Sequence, residues 1–143
     1  MISLRTPGVV AALAAAVILT APLAHAEMMT FTAELTGAAE VPPTDSAATG
    51  TAEVTLDTEA KTVTWVYSHE GLSGAMTAAH IHGPASPTEN AGPVIDTLSE
   101  TMKGTGPITD EQSADLMAGM YYFNVHTELH PDGEIRGQLE IKE

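Results

Sequence analysis

The stretch Thr62-Val63-Thr64-Trp65-Val66-Tyr67-Ser68 decides the fold class. On an extended chain successive side chains point to opposite faces, so Val63, Trp65 and Tyr67 share one side and Thr62, Thr64, Val66 and Ser68 the other. β-Branched and aromatic residues dominate, the types that suit a pleated, half-buried surface. The face carrying Val63, Trp65 and Tyr67 is expected to be core. Just upstream, Ala52 to Leu56 alternates in the same way. Between the two runs, Asp57-Thr58-Glu59-Ala60-Lys61 is a hairpin-length connection of turn-tolerant residues.

The same rhythm of short strands and turn punctuation extends in both directions. Met29 to Leu35 is a first strand, and Gly37 to Gly50, with Pro42, Pro43, Asp45 and Ser46, is a loop too short to separate domains. After Gly71 to Gly74 comes a strand that carries His80, then a turn-rich connection from Gly83 to Pro93 that lies beside His82. Val94 to Leu98 and Glu100 to Thr105 are further strand candidates. Thr109-Asp110-Glu111-Gln112 places a capping hydroxyl, two early acids and a glutamine as in a capping box, which predicts a short helix over 109–118 that ends at Gly119. Tyr121 to Thr127 and Glu134 to Ile141 form a final hairpin across His130-Pro131-Asp132-Gly133. The expected architecture is all-β, an antiparallel sandwich or barrel with one short helix.

The first 26 residues read differently. Arg5 precedes an apolar run from Val9 to Ala21, and Ala24-His25-Ala26 is a small-x-small cleavage pattern, so residues 1–26 are expected to be a secretory signal peptide. The apolar run is shorter than the ~20 residues of a spanning helix, and no later segment is a candidate span. Residues 27–143 then form a single periplasmic or secreted domain. With no Cys in the chain, core burial and a bound metal are the available sources of stability. Loss of Arg5 leaves Lys61, Lys103, Arg136 and Lys142 against 19 carboxylates, a net charge of −15. That balance argues against nucleic acid and anionic membranes and raises the local concentration of cations.

Three histidines carry the chemistry. His80 and His82, at i and i+2 on one strand, project to the same side with Cα atoms ~6.5 Å apart, and His126 lies on a second strand. Rings at that spacing can converge on one ion, and neutral imidazoles suit copper, zinc or nickel. The alternative is a hydrogen-bonded polar cluster. His130, four residues beyond His126, is a weaker fourth candidate and His69 weaker still. Met76, close to the histidine strand, is the one methionine worth testing as a soft ligand. Glu134 and Arg136 share a face at i and i+2, where an ion pair or loop-anchoring hydrogen bonds from Arg136 outweigh catalysis, since arginine cannot act as a base. Tyr121, Tyr122 and Phe123 suit core and rim packing. Asp110 and Glu111 suit a helix start. Without a Cys, a nucleophile elbow or a phosphate-binding glycine loop, the common hydrolase and nucleotide-binding classes are set aside.

Several separated motifs in fixed order carry a family resemblance: Leu72-Ser73-Gly74, Thr77 to Ala85 with His80-Ile81-His82-Gly83-Pro84, Leu116 to Gly119, Tyr121 to Thr127, and Gly133-Glu134-Ile135-Arg136-Gly137-Gln138-Leu139. Together with Phe31 to Gly37 and Glu40-Val41-Pro42-Pro43, they make residues 30–141 resemble the CHRD domain first described in chordin. The resemblance implies an immunoglobulin-like β-sandwich akin to copper-zinc superoxide dismutase. Locally, the His80-x-His82 strand and Val125-His126 are similar to the dismutase strands that supply copper ligands. The chain departs from that pattern in having neither a disulfide nor a histidine between Gly83 and Pro93 for a second, zinc-bearing site.

Three functions from different classes follow as expectations. The first is an exported protein that binds a metal, copper before zinc, to buffer, carry or deliver it. The second is a non-catalytic adhesion or interaction module with structural histidines and an unidentified protein partner. The third is a copper redox enzyme, for which the sequence offers no proton donor or substrate pocket.

Overall fold

The computed structural model describes residues 27–143, and the expected leader lies outside them. Nine strands are described: β1 (Met28–Thr36), β2 (Thr49–Asp57), β3 (Thr62–Glu70), β4 (Met76–His82), β5 (Pro93–Asp96), β6 (Lys103–Pro107), β7 (Tyr122–Thr127), β8 (Ile135–Gln138) and β9 (Glu140–Ile141). A short 3-10 turn (Gly37–Ala39) follows β1, and one helix, α1 (Asp110–Met117), precedes β7. All strand pairs are antiparallel, in the order β5-β4-β7-β8-β1-β2-β3-β6, with β9 also on β1.

The joint that makes this continuous sheet a sandwich is at β8 and β1, which share the single register pair Thr36 with Arg136. There the sheet turns back, so that β5-β4-β7-β8 faces β1-β2-β3-β6. Tyr67 on β3 meets Phe123 on β7 across the interior, with ring centroids 4.9 Å apart. On the far side Met102 O accepts from Tyr67 N, which brings the segment between β5 and β6 against β3 and nearly closes the fold.

The alternation read from Thr62 to Ser68 is observed: Val63, Trp65 and Tyr67 are buried with Phe31, Leu35, Val54 and Leu56, opposite Ala79, Ile81, Phe123, Val125, Ile135 and Leu139. Thr109 caps α1 as predicted; its hydroxyl accepts from Gln112 N, and Gln112 Oε1 accepts from Thr109 N. Several boundaries differ: the strand expected from Glu100 to Thr105 runs over Lys103–Pro107, and that expected from Val94 to Leu98 runs over Pro93–Asp96. The expected strand from Glu134 to Ile141 divides at Leu139, because β8 pairs with β7 whereas β9 crosses to β1. The last hairpin is also wider than a two-residue turn, with Val125 paired to Ile135 and Gly133 N bonded to His130 O inside the loop.

The feature that positions the site is β7, every residue of which is buried. Its inner face joins the core through Phe123 and Val125. Its outer face, Tyr122, Asn124 and His126, is covered by the segments 37–47 and 83–92 rather than by solvent. Asn124 Nδ2 donates to Glu40 Oε1 on the first segment (2.5 Å), and Tyr122 Oη bonds to Ala91 on the second (3.1 Å).

Candidate metal centre

Strand phase assembles the cluster. On β4, Ala79 and Ile81 enter the core, which sends His80 and His82 outward; on β7, Phe123 and Val125 do the same for His126. His80 pairs in register with Asn124 and His82 with Tyr122, so all three imidazoles lie on one roofed face. Their ring centroids form a near-equilateral triangle with sides of 5.1, 5.3 and 5.6 Å. One nitrogen from each lies within 4.8 Å of the others, and His82 and His126 are buried.

The outer hydrogen bonds determine which nitrogens face inward. His82 Nδ1 lies 2.9 Å from Ala91 O, and His126 Nδ1 lies 2.9 Å from Pro131 O. A carbonyl oxygen only accepts, so both Nδ1 atoms carry the proton and both Nε2 atoms present bare lone pairs. Those Nε2 atoms are 3.4 Å apart, with His80 Nδ1 3.3 Å from His126 Nε2. One proton on His80 Nδ1 can serve His126 but leaves His82 Nε2 without a donor. Burial is the main cause that lowers the pKa of both rings, His82 to about 4; backbone acceptors oppose it in both, neighbouring charges reinforce it at His82, and at His126 the effect of His80 is countered by Asp132. The pair is therefore neutral at pH 7, ready to ligate.

The spacing suits an ion. Nitrogens about 2.05 Å from a tetrahedral centre stand about 3.4 Å apart, close to the two observed separations. Backbone carbonyls that orient the ligating imidazoles are the usual outer support of such a site.

The remaining candidates separate. His130 lies in the β7–β8 turn, outside the converging group, and His69 pairs with Gly50 on β2 and β3. Met76 turns to the core face, where a register shift between Met76 and Ala78 changes the strand phase, and its sulfur lies 3.9 Å from Tyr67 Oη. Arg136 anchors a loop: Nη1 donates to Asn90 Oδ1, and Nη2 to Ser86 O and Glu89 O. Glu134 forms no ion pair with it, because it faces other partners, accepting from Ser46, Ser73 and Thr127.

Sequence reasoning missed four participants. Tyr122 stacks on His82, with centroids 4.9 Å apart and planes 10° from parallel, and the Arg136 guanidinium lies 3.6 Å from the Tyr122 ring centroid. Asn124 pairs in register with His80 and donates to Glu40, which lines one cavity with Arg136. The signal available was phase: Tyr122, Asn124 and His126 alternate on one face of a strand whose other face is apolar.

The family model described as the CHRD domain matches residues 31–139. No curated protein and no solved structure matches the chain.

Proposed function

The chain belongs to the CHRD domain family, and from that premise we propose that it is an exported protein that binds one metal ion, copper in preference to zinc, through His80, His82 and His126, and that buffers, carries or delivers it. The observation that carries this reading is the pair of bare Nε2 atoms of His82 and His126, 3.4 Å apart with both Nδ1 protons committed to backbone carbonyls. Two buried lone pairs aimed at each other repel unless a cation or a shared proton lies between them. The donor set is imidazole only, which suits copper and zinc better than calcium or magnesium. The acidic surface supports capture of cations from dilute solution.

Competition titrations of the metal-free protein with Cu(II), Cu(I) and Zn(II), beside a His80→Ala, His82→Ala, His126→Ala variant, test it. We expect one tight equivalent in the parent, with copper ahead of zinc, and none in a variant whose near-ultraviolet circular dichroism remains native. Tight stoichiometric binding that survives in the variant would remove the site assignment. No binding by either protein would leave the histidines structural and favour a partner-binding module.

A further inference from the structure

Around the three imidazoles the distribution of charge is lopsided. No carboxylate belongs to the converging group, so the ligands carry no negative charge. The nearest fully buried cation is Arg136, 1% exposed, whose guanidinium lies over Tyr122. Tyr122 sits in the middle strand of three: His82 approaches its ring from β4 and Arg136 from β8. The two contacts of 3.6 and 4.9 Å keep the guanidinium carbon within about 8.5 Å of the His82 ring centre, close enough at an effective dielectric of ~20 for the charges to couple strongly. Arg136 cannot retreat, because Ser86, Glu89 and Asn90 hold it by three hydrogen bonds. Its one acidic neighbour in this layer is Glu40, which lines the same cavity of about 450 Å³.

We propose that Arg136 sets the valence of the ion this site takes: its buried guanidinium, held over Tyr122 against His82, biases a three-imidazole site without an anionic ligand towards monovalent copper. The inference rests on the metal-binding reading and deepens it. A fixed positive charge opposes each added charge on a neighbouring ion, so it penalises Cu(II) and Zn(II) twice as much as Cu(I). The low exposure of Arg136 and His82 limits the solvent screening of the effect. Glu40, when ionised, partly cancels the field of Arg136 and so acts in the opposite sense.

The test is the ratio of Cu(II) to Cu(I) affinity at pH 8, measured by competition with chromophoric chelators for the parent, Arg136→Gln, Arg136→Lys and Glu40→Gln. Arg136→Gln should raise the ratio about tenfold, equivalent to a fall of about 59 mV in the one-electron potential. Arg136→Lys keeps the charge but loses the planar fork, and should stay near the parent. Glu40→Gln should lower the ratio by several-fold with the arginine clasp intact. If Arg136→Gln does not fold, Glu40→Gln decides the matter: a ratio unchanged or raised in that variant overturns the proposal. Equal shifts in Arg136→Gln and Arg136→Lys would also overturn it, since they would report loss of the clasp rather than of charge. A parent that binds Zn(II) more tightly than Cu(I) sinks the valence assignment but leaves the site standing, whereas a parent that binds no metal sinks both.

Discussion

Glu134 is fully buried, yet it keeps its charge. Burial pushes its carboxyl up, but hydrogen bonds from Thr127, Ser46 and Ser73 outweigh that and hold it at about 2. Glu40 shows the converse: burial dominates, one bond from Asn124 and the charge of Arg136 oppose it, and the carboxyl is raised to about 7. The two groups give stability opposite pH slopes. The contribution of Glu134 is present above its ordinary value of 4.5 and lost as the pH falls towards about 2. That of Glu40 is present below 4.5 and lost as the pH rises through about 7. Chemical denaturation across pH should therefore show Glu134→Gln destabilised by about 3 kcal/mol at pH 7, with a flatter acid limb. Glu40→Gln should be stabilised by about 2 kcal/mol at pH 8 and near parental at pH 4. A Glu40→Gln variant less stable than the parent at pH 8 would contradict this assignment. Neither role was legible, because Glu134 needs Ser73 and Ser46, 61 and 88 residues away, beside the nearby Thr127, and Glu40 depends on Asn124, 84 residues away.

At the scale of elements, local patterns were legible and joints were not. Thr109 to Gln112 announced a helix start because all the groups of a capping box lie within four residues. Val63, Trp65 and Tyr67 announced a core face because a strand has a period of two. By contrast, the strand break at Leu139 and the turn of the sheet at β8 arise from which strands lie alongside, information that no single segment contains. Gly137 marks that joint: a Cβ there would strike the Glu34 carbonyl and come within 3.1 Å of Ala33 Cβ. Gly137→Ala should force β8 from β1 and cost about 3 kcal/mol, whereas Thr109→Ala, which removes one capping bond, should cost about 1 kcal/mol. Denaturant midpoints in the reverse order would show that the joint is softer than its geometry implies.

Over the whole molecule, the sandwich does two jobs with one strand. β7 supplies core on one face and the centre of a roofed polar layer on the other, so the segments 37–47 and 83–92 pack on the imidazoles and their neighbours instead of hanging free. Gly83 begins the second of these segments, at φ 155°, where any Cβ would collide with the Tyr121 ring. An ion bound through His80, His82 and His126 would tie β4 to β7 across that layer. At a free concentration about 100 times Kd it should stabilise the fold by about 2.7 kcal/mol and raise Tm by roughly 10 °C. Differential scanning calorimetry should show this rise in the parent and none in the triple histidine variant; an equal rise in both would mean that the ion acts elsewhere.

The sequence by itself determined the all-β class, the helix and its cap, the core face of β3, and the shared face of His80 and His82, because each follows from a short period or from neighbours in the chain, whereas His126 joins them only through the pairing of β4 with β7. Only the tertiary structure decided that His82 and His126 point bare nitrogens at each other, that Met76 turns to the core, and that Arg136, Tyr122 and Glu40 join the histidine layer. Ring orientation depends on the carbonyls of Ala91 and Pro131, strand phase depends on a register shift, and burial depends on loops folding back over β7. These are relations between distant segments, and they exist only once the chain has closed on itself.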